Sequence, residues 1–355
     1  MTNQRFATTI SLVTYNGAAW LPFCLEALAR SVTQDFFLMV IDNGSLDSSA
    51  GIVEHFLAAH PALQGRSRLV RNKQNLGFAR AHNQALAWTD SDWVLLLNQD
   101  VVLEPSYLAT CAAALTEHQT VAAVSGKLLR WNFDSHTFYL DNLQALQQES
   151  RIDSLGLKVH HSRRVTNLAA GEPDHGQYEV AREVFGVAGT APVYRRAALT
   201  VVSLNHEVFD EDFVSYKEDV DLAWRLRRAG FTAWYLPQAV AYHDRSLGGT
   251  DTWREQVRRR ARWPRELKVY SWVNHLGVLV KNDSLGNLAQ DAPWVLAHEV
   301  KKAIFLLLTD PLTLAQSLKR LCKLLPTFLR KRHALAKQMV VSPRSLRPWW
   351  RTAAL

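Results

Sequence analysis

Apolar and polar positions follow two rhythms along the first hundred residues, and each rhythm names an element. Thr9–Thr14 reads as a strand, and Ala19–Arg30 then carries Trp20, Cys24, Leu25 and Leu28 on one helical face. Phe36–Ile41 reads as the next strand, and Ser48–Ala59 places Ile52, Val53, Phe56 and Leu57 on a helical stripe. Leu69–Val70 predicts a short strand and Phe78–Trp88 a third helix. Trp93–Leu97 is a continuous apolar strand ending at Asn98-Gln99-Asp100. Strand and helix in strict alternation predict an α/β fold, a parallel, doubly wound sheet with helices on both faces. Such sheets bind ligands beyond the carboxyl ends of their strands. The polar residues placed there are Tyr15 and Asn16, then Asp42, Asn43 and Gly44, then Asn98 and Asp100.

From about Lys127 to Glu183 the period is lost, and the stretch reads as an insertion or long loop over the site. Order resumes with the apolar run Val184–Tyr194. The acidic turn Phe209-Asp210-Glu211-Asp212-Phe213 follows, then a helix over Asp219–Ala229 closed by Gly230 at its C′ position. Phe231–Leu236 predicts a last strand, stopped by Pro237.

A chain of 355 residues with 48% hydrophobic content is ample for one large domain with an appendage. The polar opening segment has no basic n-region or apolar h-region, so no secretory signal is expected. Cys24, Cys111 and Cys322 form no CxxC pair, which argues against a disulfide framework or a thiolate zinc site and suits a reducing, cytoplasmic setting.

Charge is unevenly placed along the chain. From Thr252 onward there are 20 Lys and Arg against 6 Asp and Glu, although the whole chain carries only +8. Arg258–Arg260, Arg262 and Arg265 cluster beside Trp253 and Trp263. Further on, Ile304–Leu308 and Leu321–Leu329 alternate with Lys and Arg. None of these runs reaches the roughly 20 apolar residues that span a bilayer. They read as interfacial helices that hold the protein on the inner face of an anionic membrane. The plainer alternative is that they pack on the domain or on a second copy of the chain. On the membrane reading, a cut after Gly249 costs attachment or solubility rather than chemistry.

Three places suit chemistry. Asn98-x-Asp100 offers a hard oxygen at a rigid strand end, where a divalent cation could carry a diphosphate, or it is simply a polar turn. Glu218-Asp219-x-Asp221 opens a helix, where one acid is favoured by the helix dipole alone. Three acids in four residues exceed that need, and one could act as a general base. His243, in Tyr242-His243-Asp244-Arg245, is either structural or a metal donor.

Taken together, these residues resemble the family 2 glycosyltransferases, whose nucleotide-binding fold is called GT-A. Val13-Thr14-Tyr15-Asn16-Gly17 is similar to the opening VTYNG motif, and Ile41-Asp42-Asn43-Gly44-Ser45-Leu46-Asp47 to DNGSxD. Asn75-Leu76-Gly77-Phe78-Ala79-Arg80-Ala81-His82-Asn83 resembles NxGFAxxxN. Leu95–Asp100 stands where the DxD-type motif falls, and Phe209–Leu222 resembles FDExFxxYxEDxDL. The resemblance covers roughly residues 8–250. It implies a catalytic domain over 1–250, with a donor half to about 126 and an acceptor half from 127, followed by a basic helical tail over 251–355.

By resemblance, Thr14, Tyr15, Asn16 and Asp42 hold the nucleoside, while Asn75, Gly77, Arg80 and Asn83 line the ribose and diphosphate. Asp100, with Asn98 nearby, places Mg²⁺ or Mn²⁺, and His243 is a further ligand. Asp219 is the catalytic base, supported by Glu218. Asn98 departs from the usual first acid of DxD and leaves Asp100 as the charged oxygen of that motif. The implied reaction is a single in-line, inverting displacement. Glu183–Thr190, Tyr194-Arg195-Arg196 and the tail look closest to bacterial rhamnosyltransferases acting on polyprenyl-diphosphate sugars. That implies dTDP-rhamnose as a donor and a lipid-linked saccharide of the cell envelope as acceptor. Whether two copies pair is left open.

Two rival classes are weighed against this reading. A nucleotidyltransferase should show a Gly-rich phosphate loop with a basic residue near the first strand, which Thr14-Tyr15-Asn16-Gly17-Ala18 is not. A nucleic-acid-binding protein, or a binding module without activity, could explain the tail. Neither accounts for Asp42, Asp100 and Asp219, so no nucleic-acid partner is expected.

Overall fold

A computed structural model describes residues 5–131, 151–244 and 263–351. Of the stretches read above, residues 132–150 of the Lys127–Glu183 stretch, Arg245, Gly249, Trp253, Arg258–Arg260 and Arg262 lie outside the described residues. The first part alternates β1 (Thr8–Thr14), α1 (Leu21–Ala29), β2 (Phe36–Asp42), α2 (Ser49–Ala59), β3 (Ser67–Arg71), α3 (Phe78–Ala87) and β4 (Trp93–Asn98). Then follow β5 (Val101–Leu103), α4 (Tyr107–Glu117), β6 (Val121–Trp131), β7 (Ile152–Ser154), β8 (Leu157–Val159), β9 (Val165–Asn167), β10 (Arg182–Val184) and β11 (Val193–Arg195). The second half closes with α5 (Arg196–Val202), α6 (Glu218–Arg228) and β12 (Thr232–Asp244). Beyond it lie α7 (Arg265–Asn282), α8 (Leu285–Gln290), α9 (Ala292–Thr309), α10 (Pro311–Ala336) and α11 (Pro348–Arg351).

Strands β3, β2, β1 and β4 lie side by side and parallel, as the alternation predicts. Their register aligns Val13 with both Ile41 and Asn98, and Thr14 with Asp42, so three strand ends open on one edge. The sheet then turns mixed. Strand β11 runs antiparallel between β4 and β6, and β12 runs parallel to β6. Ile10, Leu12, Leu38, Val40, Leu95 and Leu97 pack one face against α1, α2 and α4. Val94, Leu96 and Tyr194 pack the other against α3, α5 and α6. Each such side chain, fully buried, contributes about 1.5–3 kcal/mol.

Two local expectations are corrected. The stretch read as an aperiodic insertion holds the second half of β6, all of β7 through β9 and most of β10, and their short lengths give no window long enough to show a period. Pro237 does not stop the last strand. Strand β12 continues to Asp244, with a register shift against β6 between Leu236 and Val240 that absorbs the missing donor. His243 therefore sits within a strand, opposite Val101 of β5.

The basic tail is not a detached appendage. Val269, Val273 and Val278 of α7 and Phe328 of α10 share a core with Phe213, Val220 and Trp224 of the preceding half, and Trp350 closes it. Residues 263–351 thus complete an interior that a cut after Gly249 would expose, which replaces the expectation that such a cut spares the catalytic part. The outer faces of α9 and α10 keep Trp294, Leu296, Ile304, Leu308, Leu318 and Leu329 exposed. Among the described residues no helix is long and apolar enough to cross a membrane.

Candidate active site

The β1 end is built around a side chain that the motifs did not single out. Gln99 accepts from the Thr14 hydroxyl at 2.6 Å and from the Tyr15 N–H at 2.9 Å, and donates to the Tyr15 carbonyl. It ties the ends of β1 and β4 together and leaves Tyr15 and Asn16 exposed at the opening. Asn16 has φ 49° and accepts from the Leu46 N–H, while Asp42 is buried and accepts from the Ser45 N–H at 3.1 Å. Asn43 donates to Asn75 at 2.9 Å and to the Gly77 carbonyl, and accepts from Leu76, so the loop from Asn75 to Gly77 is fixed beside Asp42.

Arg80 and Asn83, which the resemblance implies line the ribose and diphosphate, reach the acidic turn before α6 within the protein. Arg80 pairs with Glu211 at 2.8 Å, and Asn83 brackets Phe209, accepting from its N–H and donating to its carbonyl. Both lash α3 to the acidic turn before α6.

At the β4 end, Asp100 lies 3.4 Å from His243 Nε2. His243 Nδ1 is 2.9 Å from Asp153 on β7, a residue hidden in the stretch without a period. Burial opposes a charged His243, but Asp100 and Asp153 outweigh it and push its pKa up to about 9. Asp100 Oδ1 is buried with no hydrogen-bond partner among the described residues. An orphaned carboxylate oxygen beside an imidazole that a second carboxylate orients is the donor set that suits a divalent cation. A cation would have to displace the imidazole proton.

The acids of α6 reach the same edge by a short chain of contacts. Thr190 accepts from the Asn98 N–H at 3.1 Å, and the neighbouring Gly189 N–H donates to Asp219 Oδ2 at 3.2 Å. Burial, and next the charge of Asp219, pushes Glu218 up to about 8. Burial also raises Asp219, against the pull of Lys217 and the N–H groups of Val220 and Gly189. Asp221 turns inward instead, to Arg225 at 2.9 Å and Lys281 at 2.8 Å. The three acids in four residues therefore separate: Asp219 is half-buried at the edge, Glu218 is buried behind it with Oε2 lacking a hydrogen-bond partner among the described residues, and Asp221 is paired in the interior.

The backbone entering α6 is strained. Val214 (φ 62°, ψ −64°) is the centre of a γ-turn closed by Ser215 N–H on the Phe213 carbonyl, and Tyr216 and Lys217 have φ 71° and 73°. Such conformations at residues other than glycine cost of order 1–3 kcal/mol each and persist where the surroundings impose them.

With this geometry in view, the comparisons are direct. The model of glycosyl transferase family 2 matches residues 9–199. The chain belongs to that family. It is 26% identical over 246 residues to N-acetylglucosaminyl-diphospho-decaprenol L-rhamnosyltransferase of Mycobacterium tuberculosis, covering 66% of this chain and 75% of that one. It is 33% identical over 122 residues to a PGL/p-HBAD biosynthesis glycosyltransferase of Mycobacterium bovis, over 34% of this chain and 46% of that one. The fold of this glycosyltransferase is that of S. aureus TarS 1–349 in complex with UDP-GlcNAc, at TM-score 0.54 and 17% identity over 96% of this chain and 85% of that one. Mannosyltransferase PcManGT from Pyrobaculum calidifontis, in complex with GDP-Man and Mn²⁺, matches at TM-score 0.50 and 15% identity over 95% and 86%. The GT-A fold and the transferase class expected from the motifs therefore both hold.

Proposed function

We propose that this glycosyltransferase moves a sugar, with inversion, from a nucleotide-diphosphate donor to a hydroxyl of a polyprenyl-diphosphate-linked saccharide at the inner face of the cell membrane. The observation that carries the reading is the placement of Asp219 and Asp100 on one sheet edge, joined through Gly189, Thr190 and Asn98.

In this reading Thr14, Tyr15, Asn16 and Asp42 receive the nucleoside, and Asn75 and Gly77 shape the loop over its ribose. Arg80 and Asn83 act at one remove, by fixing Glu211 and Phe209. Asp100 and His243 would hold Mg²⁺ or Mn²⁺, with Asn98 toward the sugar, and Asp153 keeps the imidazole in place. A bound divalent cation supplies charge neutralisation of the departing diphosphate. Asp219 takes the proton of the attacking acceptor hydroxyl, and its raised pKa brings it closer to a useful base strength. Glu218, beside it, gives the pair a second site for that proton.

A lipid-held acceptor fits the outer surface of the tail. Exposed Trp294, Ile304, Phe305 and Leu308 on α9 stand beside exposed Lys301, and exposed Leu318, Leu325 and Leu329 on α10 beside Lys319, Lys323 and Arg330. Apolar faces rimmed by cations bind anionic bilayers. The rhamnosyl donor rests on the mycobacterial relative, whose name gives its product sugar and its lipid-linked acceptor.

A panel of nucleotide sugars, dTDP-rhamnose included, offered with Mn²⁺ or Mg²⁺ and a polyprenyl-diphosphate saccharide, tests the reading by release of free nucleoside diphosphate. Metal-dependent turnover with one donor is expected, together with cosedimentation with anionic vesicles. Absence of turnover across the panel with full-length, folded protein would overturn the donor and acceptor class.

A further inference from the structure

We infer that Asn274, in the middle of tail helix α7, is a positioning residue for the acids at the start of α6. The inference rests on the assignment of Asp219 as base and extends the catalytic machinery into the tail, where no family motif points.

The segment from Phe213 to Lys217 is the whole link between the acidic turn and Glu218. It holds Val214, Tyr216 and Lys217 at positive φ, which a chain left to itself abandons. Two clamps oppose that. On the donor side, Gly77 lies so close that a Cβ placed there would come within 2.6 Å of the Val214 carbonyl oxygen, and the same carbonyl accepts from the Ala79 N–H at 3.3 Å. On the tail side, Asn274 is fully buried, and its amide nitrogen donates to the carbonyls of Phe213, Ser215 and Tyr216 at 2.8, 2.9 and 2.8 Å. An amide carries two hydrogens, so three carbonyls share them, and one side chain gathers carbonyls on both sides of the γ-turn.

The same face of α7 acts again two turns later. Lys281, fully buried, pairs with Asp210, before the loop, and with Asp221, after it. Helix α7 therefore grips the catalytic segment upstream, in the middle and downstream. Phe213 reinforces the grip by packing at 6.0 Å from Phe328 of α10. A loop gripped so closely serves the acids it delivers. An error of an ångström at a reacting group costs turnover on the order of 10²-fold, whereas the Asn274 amide nitrogen donates to Phe213, Ser215 and Tyr216 and not to Thr14, Tyr15, Asn16 or Asp42.

The test compares three full-length variants under one assay: Asn274→Ala, Val278→Ala on the same helix, and Asp219→Asn. Val278 is buried in the shared core with Phe213 and Val220 but its side chain offers no hydrogen bond to the Phe213–Lys217 carbonyls, so it reports the cost of a merely weakened α7. Asn274→Ala is expected to lower kcat by about ten-fold or more, with nucleoside diphosphate affinity within about two-fold of the parent. Val278→Ala, at an equal or larger loss of Tm, is expected to keep kcat within about two-fold. If Asn274→Ala does not fold, Asn274→Ser, which keeps one donor, is read by the same criteria. Unchanged kcat in the Asn274 variant, or equal losses in the Asn274 and Val278 variants, overturns the inference. Full turnover in Asp219→Asn overturns the base assignment instead, so the two failures are told apart.

Discussion

In residues 5–126 Asp42 is the one buried Asp, Glu, Lys or Arg, and the interior is mostly aliphatic, with Met39, Tyr107, two cysteines, Ser11, Ser49 and His82 buried among it. From residue 127 on, Lys127, Asp153, Arg163, Asp210, Asp221, Arg225, Lys281 and Asp291 are all buried. Arg163 is the extreme case. Its guanidinium reaches Asp283 and Asp291 at 2.8 Å each and lies 4.0 Å over the Trp350 ring, joining the turn after β8 to the tail. Apolar burial is non-directional and tolerates small shifts, whereas a desolvated ion pair tolerates neither a lost partner nor a changed register. The front region, residues 5–126, is a platform made rigid by packing. The region from residue 127 on is locked into one arrangement by paired charges, and it carries the acids of α6.

The largest effect is expected at the tail. Removing residues 263–351 is expected to leave no cooperatively folding catalytic domain, because Lys281, Lys331 and Phe328 leave Asp210, Asp221 and Phe213 exposed or unpaired. A truncated chain with the parent Tm, measured by calorimetry, would show that the two regions are independent. Arg163→Ala is expected to cost about 3–5 kcal/mol in denaturant unfolding, since Asp283 is left buried without its guanidinium partner and Asp291 keeps only Arg347 and His161 of its basic partners. A loss no larger than a surface substitution would remove the contrast between the halves.

Acid sharpens the same contrast more gently. Asp210 is buried, which opposes its charge, but Lys281 and Lys331 hold its pKa below the ordinary carboxylate range. His275 and Trp272, likewise against burial, bring Glu299 down to about 2. Groups with depressed folded values stabilise above their ordinary pKa of about 4 and lose that contribution as pH falls toward the folded values. Hydrogen exchange between pH 5 and pH 3 is therefore expected to loosen α7, α9 and the Asp210 turn while β1, β2 and β4 stay protected. Uniform loosening would contradict the account.

The two regions also differed in how far they could be read. Strands β1, β2 and β4, helices α2 and α3, and the Gly230 stop of α6 follow from period and turn chemistry, because their partners lie nearby in the chain or are simply apolar. Asp42, Asp100 and Asp219 were visible as polar residues at element ends. Asp153, which orients His243, was not, since β7 is too short for a pattern and its partner lies 90 positions away. Pro237 read as a stop because a bulge that accommodates it is a property of the β6–β12 pairing, not of the segment. Lys281 and Lys331 are two of the cations in the basic excess after Thr252, and only the packed helices reveal them as partners of Asp210.

The most direct measurement is the turnover of Asp219→Asn beside its affinity for the donor nucleotide, in the full-length protein with saturating Mn²⁺. The account expects turnover to fall by about 10²–10⁴-fold while nucleotide binding stays near that of the parent. Parent-like turnover in that variant would contradict the claim that α6 delivers the base to the edge where Asp42 and Asp100 meet the donor.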